Sequence, residues 1–508
     1  MNLISKAFVG SFTCPLRSAA MLVSVTALFS ATAIAGNGDA TETIQTRAGD
    51  FTFETDFLHG IPTQESSAKL FELMDYQRAS QAYIWSVPLV SNYAWKQAYA
   101  NMGAEDGQIT YVESHESKLG GLTYNTSTPY AITWFNVEKE PVVIEIPTNE
   151  LRGAVHTMWQ IGISQMTEPG VYVVKARGSE TPSNLPKGAK VFESDTNNVF
   201  LGVRLMAKSD QQRMKDLEAL KITDLNGKPL SSKGVNFPER GDDAKHPRGM
   251  AFWETLNEAI QAEPVAERDR IMHDMLRPLG IEKGKAFTPS AQQRDILEQA
   301  VIMGEAMVKN IDFNKTERLP HAAYGKEGNS WEIATASTPN QDRHYGMDLD
   351  GRAAWFYEAV TNDIAMHGFE NGGWGQIYLD NYRDDNGKGL NGKGLNGSNH
   401  YTLTLDGDVN FADLFWTITV YNVENRAIID NDIERADVGS NIEGTVKDAQ
   451  GNYTFHFSPT KPAGVNEANW VQTREDENWF VYFRAYSPSK AFVAQQPETL
   501  LPNFKRVD

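Results

Sequence analysis

The sequence predicts an α+β protein that is mainly β, with two antiparallel β-sandwich or jelly-roll-like domains joined by a helical segment. Three observations carry this. Short runs of β-branched and aromatic residues, separated by Gly, Pro and Asn, fill residues 107–204 and again 375–492. The stretch between, from 209 to about 313, repeats its apolar residues at helical spacing instead. A length of 508 residues suits two or three domains at roughly 150 residues each. The composition, 41% hydrophobic and 22% charged, is that of a globular chain. With 47 Lys+Arg against 66 Asp+Glu, the formal charge is -19. Such a surface lacks the basic footprint that grips phosphate backbones, so no nucleic-acid partner is expected.

The first 35 residues read as an export signal. Lys6 and Arg17 precede an uncharged apolar run from Ala19 to Phe29, and Ala33-Ile34-Ala35 fits the small-residue cleavage rule. The expected address is periplasmic or secreted, with Gly36 as the first mature residue. No later run reaches about 18 apolar residues, so no transmembrane segment is expected after signal removal. Cys14, the only cysteine, departs with the signal. Disulfides, thiol catalysis and thiolate-bound metals are thereby excluded from the mature chain.

Residues 36–54 are small and polar and read as a flexible tail, and 55–208 as an N-terminal β-rich domain. Leu70, Leu73 and Met74 share one face of a helix from Ser66 to Tyr83, which Trp85 and Pro88 are expected to end. Strands such as 141–146 and 170–174 follow. Residues 209–345 form the helical connection, in which Trp253, Leu256 and Ile260 keep one face. Pro264 marks a helix start and Gly280 a stop; Thr288-Pro289 reads as an N-cap with a first-turn proline. Leu297, Val301, Gly304 and Val308 continue that helix as a stripe. A C-terminal domain at 346–495 opens with a helix from about Asp350 to Met366, then runs in strands, and 496–508 is a tail.

Motif spacing excludes several chemistries. Residues 386–397 repeat Asn-Gly-Lys-Gly-Leu, yet Gly394 stands where a phosphate loop needs Ser or Thr, and a strand follows instead of a helix. A slipped turn is the better reading. Asp380, Asp384, Asp385 and Asn386 lack the alternation and closing Glu of a calcium loop and read as a surface turn. The ten histidines show no metal-ligand spacing, and no Gly-x-Ser-x-Gly elbow is present.

The informative chemistry is aromatic. Alternation in 479–486 puts Trp479, Val481 and Phe483 on one face, and Phe480, Tyr482, Arg484 and Tyr486 on the other. In 415–421 it separates Trp416, Ile418 and Val420 from Phe415, Thr417, Thr419 and Tyr421. One face of each strand fills a core. The other offers phenols, hydroxyls and a guanidinium, which suit a sugar, aromatic or carboxylate ligand. The competing reading packs that face on the helical segment, with Arg484 in a structural ion pair.

Several of these segments also resemble a known pair of domains. Asn396-Gly397, 401–403, 415–421, Lys461-Pro462-Ala463-Gly464, 469–473 and 483–488 stand in the order of the domain of unknown function 1214. Upstream, 78–83, 125–130 and 141–147 are similar to its N-terminal companion, domain of unknown function 1254. The resemblance implies β-sandwich or jelly-roll-like domains with helices and export by bacteria, but no reaction. Two departures bear on any acid or metal role: Ser127 stands where the family carries an Asp, and 164–169 lack a Gly- and Asp-rich stretch.

Asn125, Tyr130, Trp416, Tyr421, Tyr482, Arg484 and Tyr486 are the candidate ligand-binding residues. Two functional readings stay open. One is an exported hydrolase or lyase acting on an amphiphilic or carbohydrate-like substrate, with acids such as Asp406, Asp408, Asp413, Asp430 and Asp432 available for a carboxylate pair. The other is a non-catalytic ligand- or envelope-binding protein that takes a small molecule or saccharide. Exposed aromatics also leave room for a homo-oligomer. No cofactor is readable.

Overall fold

A computed structural model describes residues 41–325, 328–344, 346–368, 373–385 and 394–507. The export signal, the first residues of the tail and most of the Gly-Lys repeat lie outside the described residues. Helix and strand each make up 29% of an α+β architecture with several antiparallel sheets and, among the described residues, no barrel. The chain divides into two compact units, residues 1–73 and 74–508.

In the first unit, β1 (Thr41–Thr46) and β2 (Gly49–Glu54) form an antiparallel hairpin where a flexible tail is expected. Phe51 and Phe53 explain it: they alternate with polar neighbours and are both buried. Helix α1 (Gln64–Asn101) starts in this unit and is far longer than its sequence pattern predicts, with Pro88 in its interior. An interior proline loses one backbone hydrogen bond and costs about 3 kcal/mol. Burial on every side offsets that cost, since residues 82–93 are all buried.

Strands β3 (Thr110–Val112), β4 (Tyr130–Asn136), β5 (Val142–Ile146), β6 (Leu151–Thr157), β7 (Gly162–Met166), β8 (Gly170–Ala176), β9 (Lys190–Ser194), β10 (Asn198–Leu205) and β11 (Lys221–Thr223) make two sheets. Their orders are β3-β4-β10-β6-β7 and β11-β5-β8-β9, antiparallel except for the β8–β9 pair. Alternation decides what each face does. Val155, Leu201 and Val203 pack on Ile144, Tyr172 and Val174 of the four-stranded sheet. On the opposite face, Trp134 and Phe200 pack on Trp95 of α1, with ring centroids 5.1 and 4.7 Å away.

Helices α2 (His115–Lys118) and α3 (Asp210–Ala219) lie among these strands, and α4 (Met250–Ala262), α5 (Arg270–Leu276), α6 (Ala291–Phe313), α7 (Lys315–Arg318) and α8 (Leu349–Glu358) follow. The α6 cap is Ser290 rather than Thr288. Its hydroxyl accepts from Gln293 N, and Gln293 Oε1 accepts from Ser290 N at 2.8 Å, a capping box. Gly304 in the α6 stripe lets Tyr83 of α1 come close, because a Cβ there would lie 2.5 Å from the Tyr83 side chain. Helix α8 stops eight residues short of the expected Met366: Ala359 is extended, and Trp355 Nε1 donates to Thr361 O at 2.8 Å across the turn.

The C-terminal strands are β12 (Glu332–Ile333), β13 (Asp342–Arg343), β14 (Gly346–Met347), β15 (Gln376–Asn381), β16 (His400–Leu405), β17 (Ala412–Asn422), β18 (Asp437–Gly439), β19 (Tyr453–Ser458), β20 (Trp470–Gln472), β21 (Trp479–Pro488) and β22 (Lys505–Val507). Sheets β12-β15-β21-β17-β18 and β20-β19-β16-β22 face each other. Trp416 and Phe483 stack with centroids 5.5 Å apart inside this sandwich, and Phe457 stacks on Trp479. The expected C-terminal tail is built in, because Leu501 and Phe504 are buried and β22 pairs with β16. Asp380, expected in a surface turn, is a buried β15 residue whose Oδ2 accepts from Lys315 Nζ at 2.6 Å. No described helix is long and apolar enough to cross a membrane.

Candidate functional site

Cross-strand register builds the site. On the face of β4, β10 and β6 turned away from the four-stranded sheet, residues fall into rows. Tyr130, Arg204 and Arg152 make the first, Ile132, Gly202 and Ala154 the second, and Trp134, Phe200 and His156 the third. On β15, β21 and β17 the rows are Gln376, Tyr486, Phe415 and then Tyr378, Arg484, Thr417. Between these surfaces lies a cavity of about 440 Å³, a volume suited to a small molecule. The segment after α8, with Asp363 and Trp374, supplies another wall. The middle row keeps the floor open: Gly202 and Ala154 are small, and a Cβ on Gly202 would lie 2.8 Å from the Phe200 ring.

Each side of the cavity sends an arginine to the other. Arg204 donates to Gln376 Oε1 at 3.3 Å and to Tyr378 OH at 3.4 Å. Arg484 donates to the Tyr421 hydroxyl and, at 2.6 Å, to Thr123 O. Its guanidinium also lies 4.8 Å from the ring centroids of both Tyr378 and Tyr482. Neither arginine pairs with a carboxylate among the described residues, which removes the structural ion pair considered for Arg484. Arg484 Nε and the Tyr486 hydroxyl are buried without a hydrogen-bond partner among the described residues. The Arg204 guanidinium stands 5.7 Å from the Tyr486 ring. Arginine stays charged at any physiological pH, so this end of the cavity is cationic.

Asn125 shapes the rim. Its Oδ1 accepts from Thr128 N at 3.0 Å, and its amide donates to the Tyr130 hydroxyl, so it sets the turn leading into β4. Behind the turn, buried Lys118 Nζ donates to Thr128 O at 2.9 Å. Burial lowers its pKa to about 7.

Of the seven candidate residues, Asn125, Tyr130, Arg484 and Tyr486 line the cavity. Trp416 lies on the opposite face of its strand, inside the sandwich core. Tyr421 stands behind Arg484 and donates to Tyr124 O at 2.8 Å. Tyr482 donates to Glu358 in a buried ionic cluster, in which Lys315 Nζ lies 2.6 Å from Asp380 and 3.4 Å from Asp312. Burial raises the pKa of both aspartates. The acids considered for a carboxylate pair, Asp406, Asp408, Asp413, Asp430 and Asp432, are exposed and none reaches the cavity. Asp363 is the one carboxylate among its described lining residues. No group of three or more described His, Asp or Glu side chains is arranged to hold a metal ion.

Sequence reading passes over Arg204, Gly202, His156 and Tyr378. The alternation that exposes Arg484 would also have found Phe200, Gly202 and Arg204 on one face of 198–205, where a glycine and an arginine interrupt an apolar strand.

No curated protein matches this chain. The VPA0106 protein from Vibrio parahaemolyticus has a solved structure similar to it, with a TM-score of 0.53 and 18% identity over 85% of this chain and 100% of that one. A putative uncharacterized protein from Burkholderia cenocepacia aligns at a TM-score of 0.38 and 11% identity, over 87% of this chain and 97% of that one. Residues 108–224 match the family described as protein of unknown function (DUF1254), and residues 375–490 that described as protein of unknown function (DUF1214). The chain therefore carries a DUF1254 segment followed by a DUF1214 segment, and its cavity is lined from both.

Proposed function

We propose that the chain binds a small molecule with an anionic group and an apolar, partly aromatic body in the cavity between the DUF1254 and DUF1214 segments. One observation carries this reading: Arg204 and Arg484 both line the cavity without a carboxylate partner among the described residues. Burying an unpaired charge costs several kcal/mol. Tyrosine faces and carbonyls offset part of that, and an anionic ligand would supply the rest through charge-assisted hydrogen bonds. Tyr130, Tyr378, Tyr486, Phe200 and Trp374 provide flat apolar surface for the remainder of the ligand. A glycosidase-like mechanism is disfavoured, because two carboxylates are needed across one bond and the described lining offers one. Export of the mature chain from Gly36 belongs to the same proposal. It rests on the apolar run and small-residue site at 19–35 and on the absence of cysteine beyond Cys14.

The test is thermal unfolding of the protein with a panel of aryl carboxylates, sulfates and phosphates, each beside its neutral amide or ester. Anions should raise the midpoint, by about 2.7 kcal/mol of added stability at a hundredfold excess over Kd. Arg204→Gln and Arg484→Gln should abolish the shift. Equal shifts with the neutral partners would remove the reading.

A further inference from the structure

The far end of the cavity carries a second polar group that the anion reading does not use. His156 is 1% exposed and lines the cavity. Neither of its ring nitrogens has a hydrogen-bond partner among the described residues. Burial holds its pKa below the usual histidine value, against the Asn362 carbonyl and the Asp363 charge, so the ring is neutral near pH 7. A neutral imidazole has one donor and one acceptor nitrogen. With the Asn362 carbonyl beside the ring as the place for the donor, the other nitrogen is left as an unpaired acceptor in the cavity wall.

The register places this acceptor relative to the arginines. Arg204 pairs with Arg152 and Phe200 with His156, so Arg152 and His156 stand four residues apart on one face of β6. At about 3.3 Å per residue the two ends are separated by about 13 Å along the strand. In the row between them Ile132, Gly202 and Ala154 carry no polar side chain, and Gln165 of β7 ends the row at the cavity edge.

Resting on the anion reading, we infer that the ligand is an elongated amphiphile, with its anionic group at Arg204 and Arg484, an apolar body over Gly202 and Ala154, and a hydroxyl donating to His156. Leaving a buried acceptor unpaired costs about 1–3 kcal/mol, and a ligand hydroxyl recovers that. A plain apolar acid of the same length does not. Asp363, the one carboxylate among the described lining residues, acts on the His156 ring and reinforces the preference for a donor at this end.

Calorimetric titration with 4-hydroxycinnamate, 4-methoxycinnamate and cinnamate tests this. The hydroxylated acid should bind about tenfold more tightly than the other two. That preference should shrink to within about twofold in His156→Phe. The ¹⁵N imidazole resonances of His156 in the unaltered protein should move with 4-hydroxycinnamate and stay in place with cinnamate, which makes the test independent of how the variant folds. Three acids of equal affinity, all weakened in Arg484→Gln, would overturn the inference and leave the anion reading standing. Binding of none of them, or binding indifferent to both arginines, would overturn both.

Discussion

Lys118 is the residue on which pH should act most visibly. It is buried behind the rim turn, faces Asp437, Glu113 and Arg204, and has its pKa lowered to about 7 by burial. In the unfolded chain the ordinary value is about 10.4. Between those two values the unfolded chain binds the extra proton, so stability rises with pH, by at most about 1.4 kcal/mol per unit from this group. Lys118→Met should flatten that slope between pH 7 and 10 in urea titrations. An unchanged slope would show that Lys118 keeps its ordinary pKa. At the cavity itself, Arg484→Gln should weaken binding of an aryl carboxylate by about tenfold or more, since a charge-assisted hydrogen bond contributes about 1.5–3 kcal/mol. Calorimetry of the folded variant decides it. Arg484 and Tyr486 are readable in the sequence because strict alternation isolates a charged residue among aromatics. His156 is not, because nothing in its neighbours says that a cavity faces it.

The elements show where sequence periodicity succeeds and where packing overrides it. The split of β21 and β17 into a core face and a polar face follows from alternation alone and holds in the register. The length of α1 does not, because Pro88 is a stop signal locally and is overruled by burial on all sides. The built-in C-terminal tail escapes for the same reason, since only the fold shows that Phe504 fills the sandwich. Just behind the polar face, α7 places Lys315 among Asp312, Glu332 and Asp380 with no access to water. Removing the one cation that pairs with these acids among the described residues leaves buried carboxylates uncompensated, so Lys315→Met should cost about 3–5 kcal/mol in denaturant unfolding. Asp312→Asn removes an acid whose carboxylate oxygens have no hydrogen-bond partner among the described residues and should be neutral or stabilising. The opposite ranking of the two variants would show that the cluster is not short of positive charge.

At the scale of the molecule, one hydrophobic core runs from Trp134 and Phe200 through Trp253 and Leu297 to Trp416 and Phe483. The cavity interrupts it where the DUF1254 and DUF1214 segments meet, and Arg204 and Arg484 cross that seam in opposite directions. A shared core predicts that residues 74–508 unfold in one cooperative calorimetric transition; two separated transitions would contradict it. Composition and texture reveal the α+β class and the order of its parts. They do not reveal the seam, because it is made by contacts between residues more than 150 positions apart. The measurement closest to the central claim is a calorimetric comparison of cinnamate with cinnamamide, which share a shape and differ in charge. Binding of the acid at least about tenfold tighter than the amide, with the difference lost in Arg204→Gln, is the predicted result. Equal affinities for acid and amide, or a preference that survives the loss of Arg204, would contradict it.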